Sequence, residues 1–260
     1  MESKPASSNS ASSAESKPAS SNSASSVENK PANSNSASSV ESKPANSNST
    51  SSVESKPAKE EEQFRSLIVE DCGYYYTGRQ ESNYCYNFYY FKIKNPNKDK
   101  AVKSGKINYV IRNSDNKILM STVIYLPAIA ADDTVEISGS VILSASENPA
   151  SAEYKIEYNN YGIVDQETAK VVKSSELVVS NTYRVKSGAY AHFTGEVTNK
   201  SNQDLTSVKV MLLYRKDGRI YGGDNWLVGT LAAGETKAFD MVTLFELSEY
   251  DSYTIVAVHG

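Results

Sequence analysis

Tyr84-Cys85-Tyr86-Asn87-Phe88-Tyr89-Tyr90-Phe91-Lys92-Ile93 is the stretch whose reading decides the fold. Six of these ten residues are aromatic, a composition that suits a pleated, half-buried strand. Successive side chains on a strand point to opposite faces. A second stretch, Tyr190-Ala191-His192-Phe193-Thr194-Gly195-Glu196-Val197, sets the parity. Aligning the two puts Ile93 on Val197, Phe91 on Gly195 and Tyr89 on Phe193. Tyr89, Phe91 and Ile93 are therefore expected to face a core. Tyr84, Tyr86, Phe88 and Tyr90 then share the other face, close to Tyr74, Tyr75 and Tyr76. Two readings of that stripe stay open. It is an exposed platform for a partner or glycan, since Tyr offers rigid amphipathic contact area. Alternatively, a neighbouring domain or linker covers it, or it forms a cross-strand aromatic ladder.

Outward from this stretch the same pattern continues. Short runs rich in Val, Ile, Tyr and Thr are separated every 8–15 residues by turn formers such as Asn95-Pro96-Asn97, Ser114-Asp115-Asn116, Lys216-Asp217-Gly218 and Ala233-Gly234-Glu235. No long helix is expected; Leu244 to Tyr250 is the one candidate helical turn. The fold class is all-β, with antiparallel sandwiches. The two halves also match. Lys94-Asn95-Pro96-Asn97 corresponds to Thr198-Asn199-Lys200-Ser201, and Ile107–Ile111 to Lys209–Leu213. Ile129-Ala130-Ala131-Asp132-Asp133 corresponds to Leu231-Ala232-Ala233-Gly234-Glu235, and Tyr154–Tyr158 to Tyr253–Ala257. Two tandem sandwiches are expected, at 64–172 and 175–260, with the boundary near Val171 to Ser175.

Residues 1–58 are different in kind. They hold 22 Ser and no aromatic residue, and Pro5, Pro18, Pro31, Pro44 and Pro57 mark a 13-residue repeat. Each unit offers only two or three small apolar residues, Ala or Val, too little apolar surface to stack as a solenoid. A disordered, nearly neutral spacer is expected, with a mean reach of roughly 40 Å. Met1-Glu2-Ser3-Lys4 has neither a basic n-region nor an apolar h-region. The chain is either exported, with its leader removed, or cytosolic with a dispensable tail; the spacer favours export. The net charge of −4, with no Lys/Arg cluster, argues against nucleic acid and anionic membranes. No apolar run is long enough to span a bilayer.

Thr194-Gly195-Glu196-Val197-Thr198-Asn199, Val208–Gly218 and Gly229-Thr230-Leu231-Ala232-Ala233-Gly234-Glu235-Thr236 with Phe239 resemble the FxLYD family of bacterial extracellular domains. The naming motif falls on Met211-Leu212-Leu213-Tyr214-Arg215, where the Leu-Tyr pair is kept; the resemblance covers roughly 176–260. It implies an immunoglobulin-like sandwich and a surface or secreted binding or structural module. It supplies no catalytic residues. The Ser/Asn/Ala/Pro spacer is similar to the tether behind the lipidated cysteine of Gram-positive surface lipoproteins. That similarity implies an extracellular protein anchored upstream of Glu2, with a protein or glycan at the cell surface as its partner.

Candidate chemistry is sparse. His192 is expected to face solvent on a strand, and His259 is expected to be exposed near the chain end. Neither has partners for a triad, and no zinc-protease or phosphate-loop motif occurs. Asp132-Asp133 and Asp224-Asn225 have calcium-ligand chemistry without EF-hand spacing, so no metal and no cofactor is expected. Cys72 and Cys85 flank Gly73–Tyr84, which reads as a hairpin loop. A disulfide at its base would contribute about 3 kcal/mol, and two free thiols are the alternative. Trp226 alternates with Val228, which predicts core packing.

Overall fold

The computed structural model describes residues 63–78, 84–144, 148–187, 190–243 and 250–260. The spacer and most of the Leu244–Tyr250 turn fall outside the described residues. The β-branched and aromatic runs form strands in sequence order: β1 (Ile68–Gly78), β2 (Tyr84–Lys94), β3 (Lys100–Val102), β4 (Lys106–Asn113), β5 (Ile118–Tyr125), β6 (Thr134–Ser144), β7 (Pro149–Glu157), β8 (Ile163–Asp165), β9 (Leu177–Ser187), β10 (Tyr190–Asn199), β11 (Leu205–Lys216), β12 (Arg219–Leu231), β13 (Thr236–Thr243) and β14 (Ser252–Val258). One short helix, α1 (Gln166–Ala169), precedes the link to β9. The all-β expectation is met.

Strand order is the same in both halves. The first half has sheets β1-β2-β6 and β5-β4-β7, and the second has β9-β10-β13 and β12-β11-β14. The ladders are antiparallel. Tyr89, Phe91 and Ile93 of β2 pack against Ile107, Tyr109 and Ile111 of β4, as the alternation requires. In the second half, Phe193 and Val197 of β10 pack with Val208, Val210, Leu212 and Tyr214 of β11. Aromatic contacts echo one another. Phe91 meets Tyr154 edge-on at 5.1 Å, and Phe193 meets Tyr253 edge-on at 4.9 Å. The core-facing residues of β4 and β11 correspond one residue away from the sequence pairing above: Met211 faces the first half, and Val210 and Leu212 face their own core.

A buried Asn plugs the same corner in each half. Asn95 Nδ2 donates to Lys100 O (2.8 Å) and Ala130 O (2.9 Å), and its Oδ1 accepts from Asn97 N (3.1 Å) and Asn97 Nδ2 (2.7 Å). Asn199 Nδ2 donates to Gln203 O (2.7 Å) and Ala232 O (3.0 Å), and its Oδ1 accepts from Ser201 N (3.0 Å) and Ser201 Oγ (2.7 Å). Main-chain bonds repeat too: Asn95 N to Asp133 O and Asn199 N to Glu235 O, both 2.9 Å. An amide at this point satisfies two loops at once, so its loss strands buried groups. Asn95→Ala and Asn199→Ala should each cost about 2–4 kcal/mol in urea melts, and by similar amounts.

The halves are not independent beads. Lys59–Gly260 form one compact unit. The middle of sheet β1-β2-β6, around Tyr86 to Phe91, is buried on both faces. One covers the first core, and the other lies on β11 and β12 of the second half. The four main sheets therefore stack in the order β5-β4-β7, β1-β2-β6, β12-β11-β14, β9-β10-β13. The two halves thus pack on each other as layers of one body.

Candidate functional site

The aromatic stripe lies in the seam between the halves. Tyr86, Phe88 and Tyr90 are only 8%, 2% and 7% exposed. Tyr86 and Phe88 belong to the second half's core cluster, and Tyr90 packs with Leu213 and Ile220. An exposed partner or glycan platform at these residues is therefore corrected: the second half covers them. Tyr84 begins β2, and its side chain lies outside the described residues. Tyr75 joins the seam, its ring 4.2 Å from that of Tyr221. Tyr74 and Tyr76 point the other way. They sit opposite Tyr89 and Asn87 on the first-core side, with their rings 5.3 Å apart. Tyr86, Phe88 and Tyr90, with Tyr75 and Tyr76, thus serve packing.

Small residues let the two sheets approach. A Cβ on Gly222 would lie 2.7 Å from Phe88 Cβ, and one on Gly223 would lie 2.9 Å from Ser138 Cβ. Ser138 Oγ sits 2.8 Å from Leu212 O and 2.9 Å from Asp224 O, sharing its proton between them. Asn225 Nδ2 returns a bond to Ser138 O at 3.0 Å. Burial raises the carboxyl pKa of Asp224, and only the Asn225 main chain offsets this. Burial, with that carboxylate nearby, pushes Tyr89 up to about 12. The seam is thus apolar with a polar centre, an arrangement for fixing geometry.

The cysteines do not bridge. Both are free thiols. β1 runs on through Gly73, Tyr74, Tyr75 and Tyr76 to Gly78, so Cys72 lies opposite Phe91 and Cys85 lies opposite Gly78. Six residues of strand separate their partners, about 20 Å at the usual rise, far beyond disulfide reach. The cause is Gly73. It reads as a loop residue, yet a Cβ there would lie 2.6 Å from the Tyr90 ring, so it is a strand glycine beneath an aromatic. Burial raises the Cys72 thiol pKa, opposed by a hydrogen bond with Tyr154. A half-buried thiol held in its protonated form is a poor nucleophile.

The acidic turn residues already have partners. Asp133 accepts from Ser174 N (2.7 Å) and Ser174 Oγ (2.8 Å), pinning the link between the halves. Asp132 pairs with Lys94 at 3.4 Å. Asp224 accepts from Asn225 N at 2.9 Å. Among the described residues no group of three or more His, Cys, Asp or Glu is placed to hold a metal. No helix among them is long and apolar enough to cross a membrane.

The histidines differ from one another. His192 faces outward, as the alternation predicts, with Nδ1 at 2.9 Å from Asp240 Oδ1 and 3.2 Å from Oδ2. His259 is buried, not exposed: Nε2 lies 3.3 Å from Val172 O, and its carbonyl accepts from Ala128 N at 2.8 Å. It therefore ties the chain end to both halves. Burial lowers its pKa, outweighing Val172 O and the charges of Asp133 and Glu176, which raise it. The folded state holds His259 neutral while the unfolded state takes up a proton near pH 6.5. Stability should thus be full above that value and fall as the pH drops below it. Thermal melts of the parent and His259→Gln across pH 8 to 5 should diverge on the acid side, the parent losing more.

Trp226 is also corrected: it is 42% exposed, and Leu227 beside it is exposed too. Register shifts along β11–β12, one at Val208/Lys209, break simple alternation there. Sequence reasoning missed the outer face of sheet β9-β10-β13. Tyr183 and Tyr190 are 65% and 48% exposed, and Val185 is exposed between them. Val185 and Val242 flank His192, while Tyr183 and Asp240 flank Thr194. Tyr183, Val185 and Tyr190 with the His192–Asp240 pair make one amphipathic patch. Its strands were legible, but its exposure follows only from which sheet face the first half leaves uncovered.

No family model matches this chain, and no curated protein matches it significantly. Among solved structures the chain is similar to red sea bream transglutaminase at 12% identity, over 74% of this chain and 32% of that one, with a TM-score of 0.21. The chain thus spans about a third of that protein's length, and a likeness this distant says nothing of activity.

Proposed function

We propose that this chain is a non-catalytic binding or structural module of a bacterial cell-surface or secreted protein, related to FxLYD-type domains and preceded by the Ser/Asn/Pro repeat of residues 1–58. The observation that carries the reading is the amphipathic patch of Tyr183, Val185 and Tyr190 around the His192–Asp240 pair. It stands on a body whose inter-half packing leaves little freedom for the two halves to move against each other. Exposed tyrosines supply apolar contact area at low entropic cost, and the His–Asp pair supplies a donor and an acceptor. A protein or glycan at the cell surface fits that mixture. The turn carboxylate Asp133 and the buried His259 are used in structure, which leaves the His192–Asp240 pair for contact. Binding to glycan arrays and to intact cells should fall at least tenfold for Tyr183→Ala/Tyr190→Ala with the melting temperature unchanged. Undiminished binding by that variant would reject the patch as the contact surface.

A further inference from the structure

Strand β5 reads Ile118-Leu119-Met120-Ser121-Thr122-Val123-Ile124-Tyr125 and contains no charge and no proline. It is an edge strand, paired to β4 on one side only, and its one register shift, at Leu119, lies outside the regular run Ser121–Tyr125. Natural edges are usually guarded by charge, proline or bulges. The other edges of the main sheets are guarded by charge, proline, bulges or cover, β6 by Glu136 and by its packing on β11 and β12. β1 carries Glu70 and Asp71 with a bulge, and β7 carries Pro149, Glu153, Lys155 and Glu157. β9 carries Arg184 and Lys186, β13 carries Lys237 and Asp240, and β12 is bulged at several points. β14 is also uncharged but lies against β9 and β6.

The hydrogen-bonding pattern says which groups β5 offers. Leu126 N–H donates to Gly105 O at 2.9 Å. Alternation along the antiparallel ladder then directs the main-chain groups of Thr122 and Ile124 to Tyr109 and Ile107. Those of Ser121, Val123 and Tyr125 point away from β4. On the outer face, Val123 and Tyr125 are exposed, Tyr125 at 77%. Behind them the charges of the sheet are matched internally: Lys106 with Glu157 at 3.3 Å, Lys155 with Glu157 at 2.9 Å and Arg112 with Glu153 at 3.1 Å. An approaching chain meets no unpaired charge from these strands.

We infer that β5 is a self-association edge, on which a second copy of this chain adds its own β5 antiparallel about a two-fold axis at Val123. That register sets Val123 opposite Val123 of the second copy and Ser121 opposite its Tyr125, so the three outward-pointing residues all find main-chain partners. It also keeps the exposed Val123 and Tyr125 of both copies on one face, where Tyr125 covers the small Ser121. Identical copies suit this edge because it is uncharged and its side chains pair with themselves without a clash. Sheet β5-β4-β7 becomes a continuous six-stranded sheet.

Sedimentation equilibrium of the full chain, across a wide concentration range, tests this. The mass should rise from the 28.4 kDa of one chain toward twice that value. Val123→Pro removes an N–H that β4 does not use and should hold the mass at one chain with native melting. Ser121→Lys places a charge on the same edge, should do the same, and serves if the proline variant melts early. Val123→Cys should form a disulfide-linked dimer on mild oxidation. A parent that stays monomeric at the highest concentration would overturn the inference. So would dimers that persist undiminished in Ser121→Lys.

Discussion

Truncating Phe88 to alanine should cost about 3–5 kcal/mol in denaturant melts, the range for a buried aromatic whose site cannot collapse. Phe88 is 2% exposed, and its Cβ is the atom a side chain on Gly222 would strike. The ring fills space between two sheets that are each held by their own ladders, so neither closes easily onto the gap. The pair Tyr86→Ser and Tyr90→Ser should also cost several kcal/mol, because both rings leave packed surroundings and a hydroxyl replaces them. Tyr90 additionally gives up its 3.2 Å hydrogen bond to Asp71. If the stripe were free surface, the same changes would move stability by less than about 1 kcal/mol.

Gly223→Ala should be at least as costly, about 3 kcal/mol or more. Its new Cβ would lie 1.7 Å from Leu212 O and 2.9 Å from Ser138 Cβ. The first obstacle is main chain and has no rotamer to yield, so β12 must move off β11 or off β6. Overpacking against side chains usually costs about 1–3 kcal/mol, and a rigid neighbour sets the upper end. The denaturation midpoint should fall with an unchanged slope, since the folded and unfolded surfaces stay alike. Gly260→Ala is the control, because its Cβ would meet nothing closer than 3.7 Å.

Much of this was legible in the residues, for reasons that can be named. Alternation at Tyr89, Phe91 and Ile93 identified the first core face, because those positions have a sandwich partner on the same chain segment. Asn95 and Asn199 disclosed the duplication, because a buried amide bracing two loops has few substitutes. What alternation cannot say is what covers a face. Tyr86, Phe88 and Tyr90 looked equally suited to a ligand or a neighbour, and the answer depended on Gly222, Gly223 and Ser138 about 130 and 50 residues further along the chain. Those small residues carry no hydrophobic pattern of their own. Gly73 misled for a related reason: glycine marks both turns and close approaches, and only the ring of Tyr90 across the ladder separates the two. Moving that hairpin turn moved both cysteines out of reach of each other. His259 was misjudged from its place near the chain end, which says nothing of docking. The outer face of sheet β9-β10-β13 became a candidate only once the other sheets had used up theirs.

Hydroxyl-radical footprinting of the intact chain tests the seam most directly, since it reads the exposure of each aromatic ring in solution. Tyr161, Tyr125 and Tyr183 are well exposed and should be oxidised readily. Phe193 and Tyr214, both at 0% exposure, set the protected limit. The four-layer body predicts that Tyr86, Phe88 and Tyr90 react at the rate of Phe193 and Tyr214. Oxidation of these three at the rate of Tyr161 would contradict it, and would return the stripe to the surface.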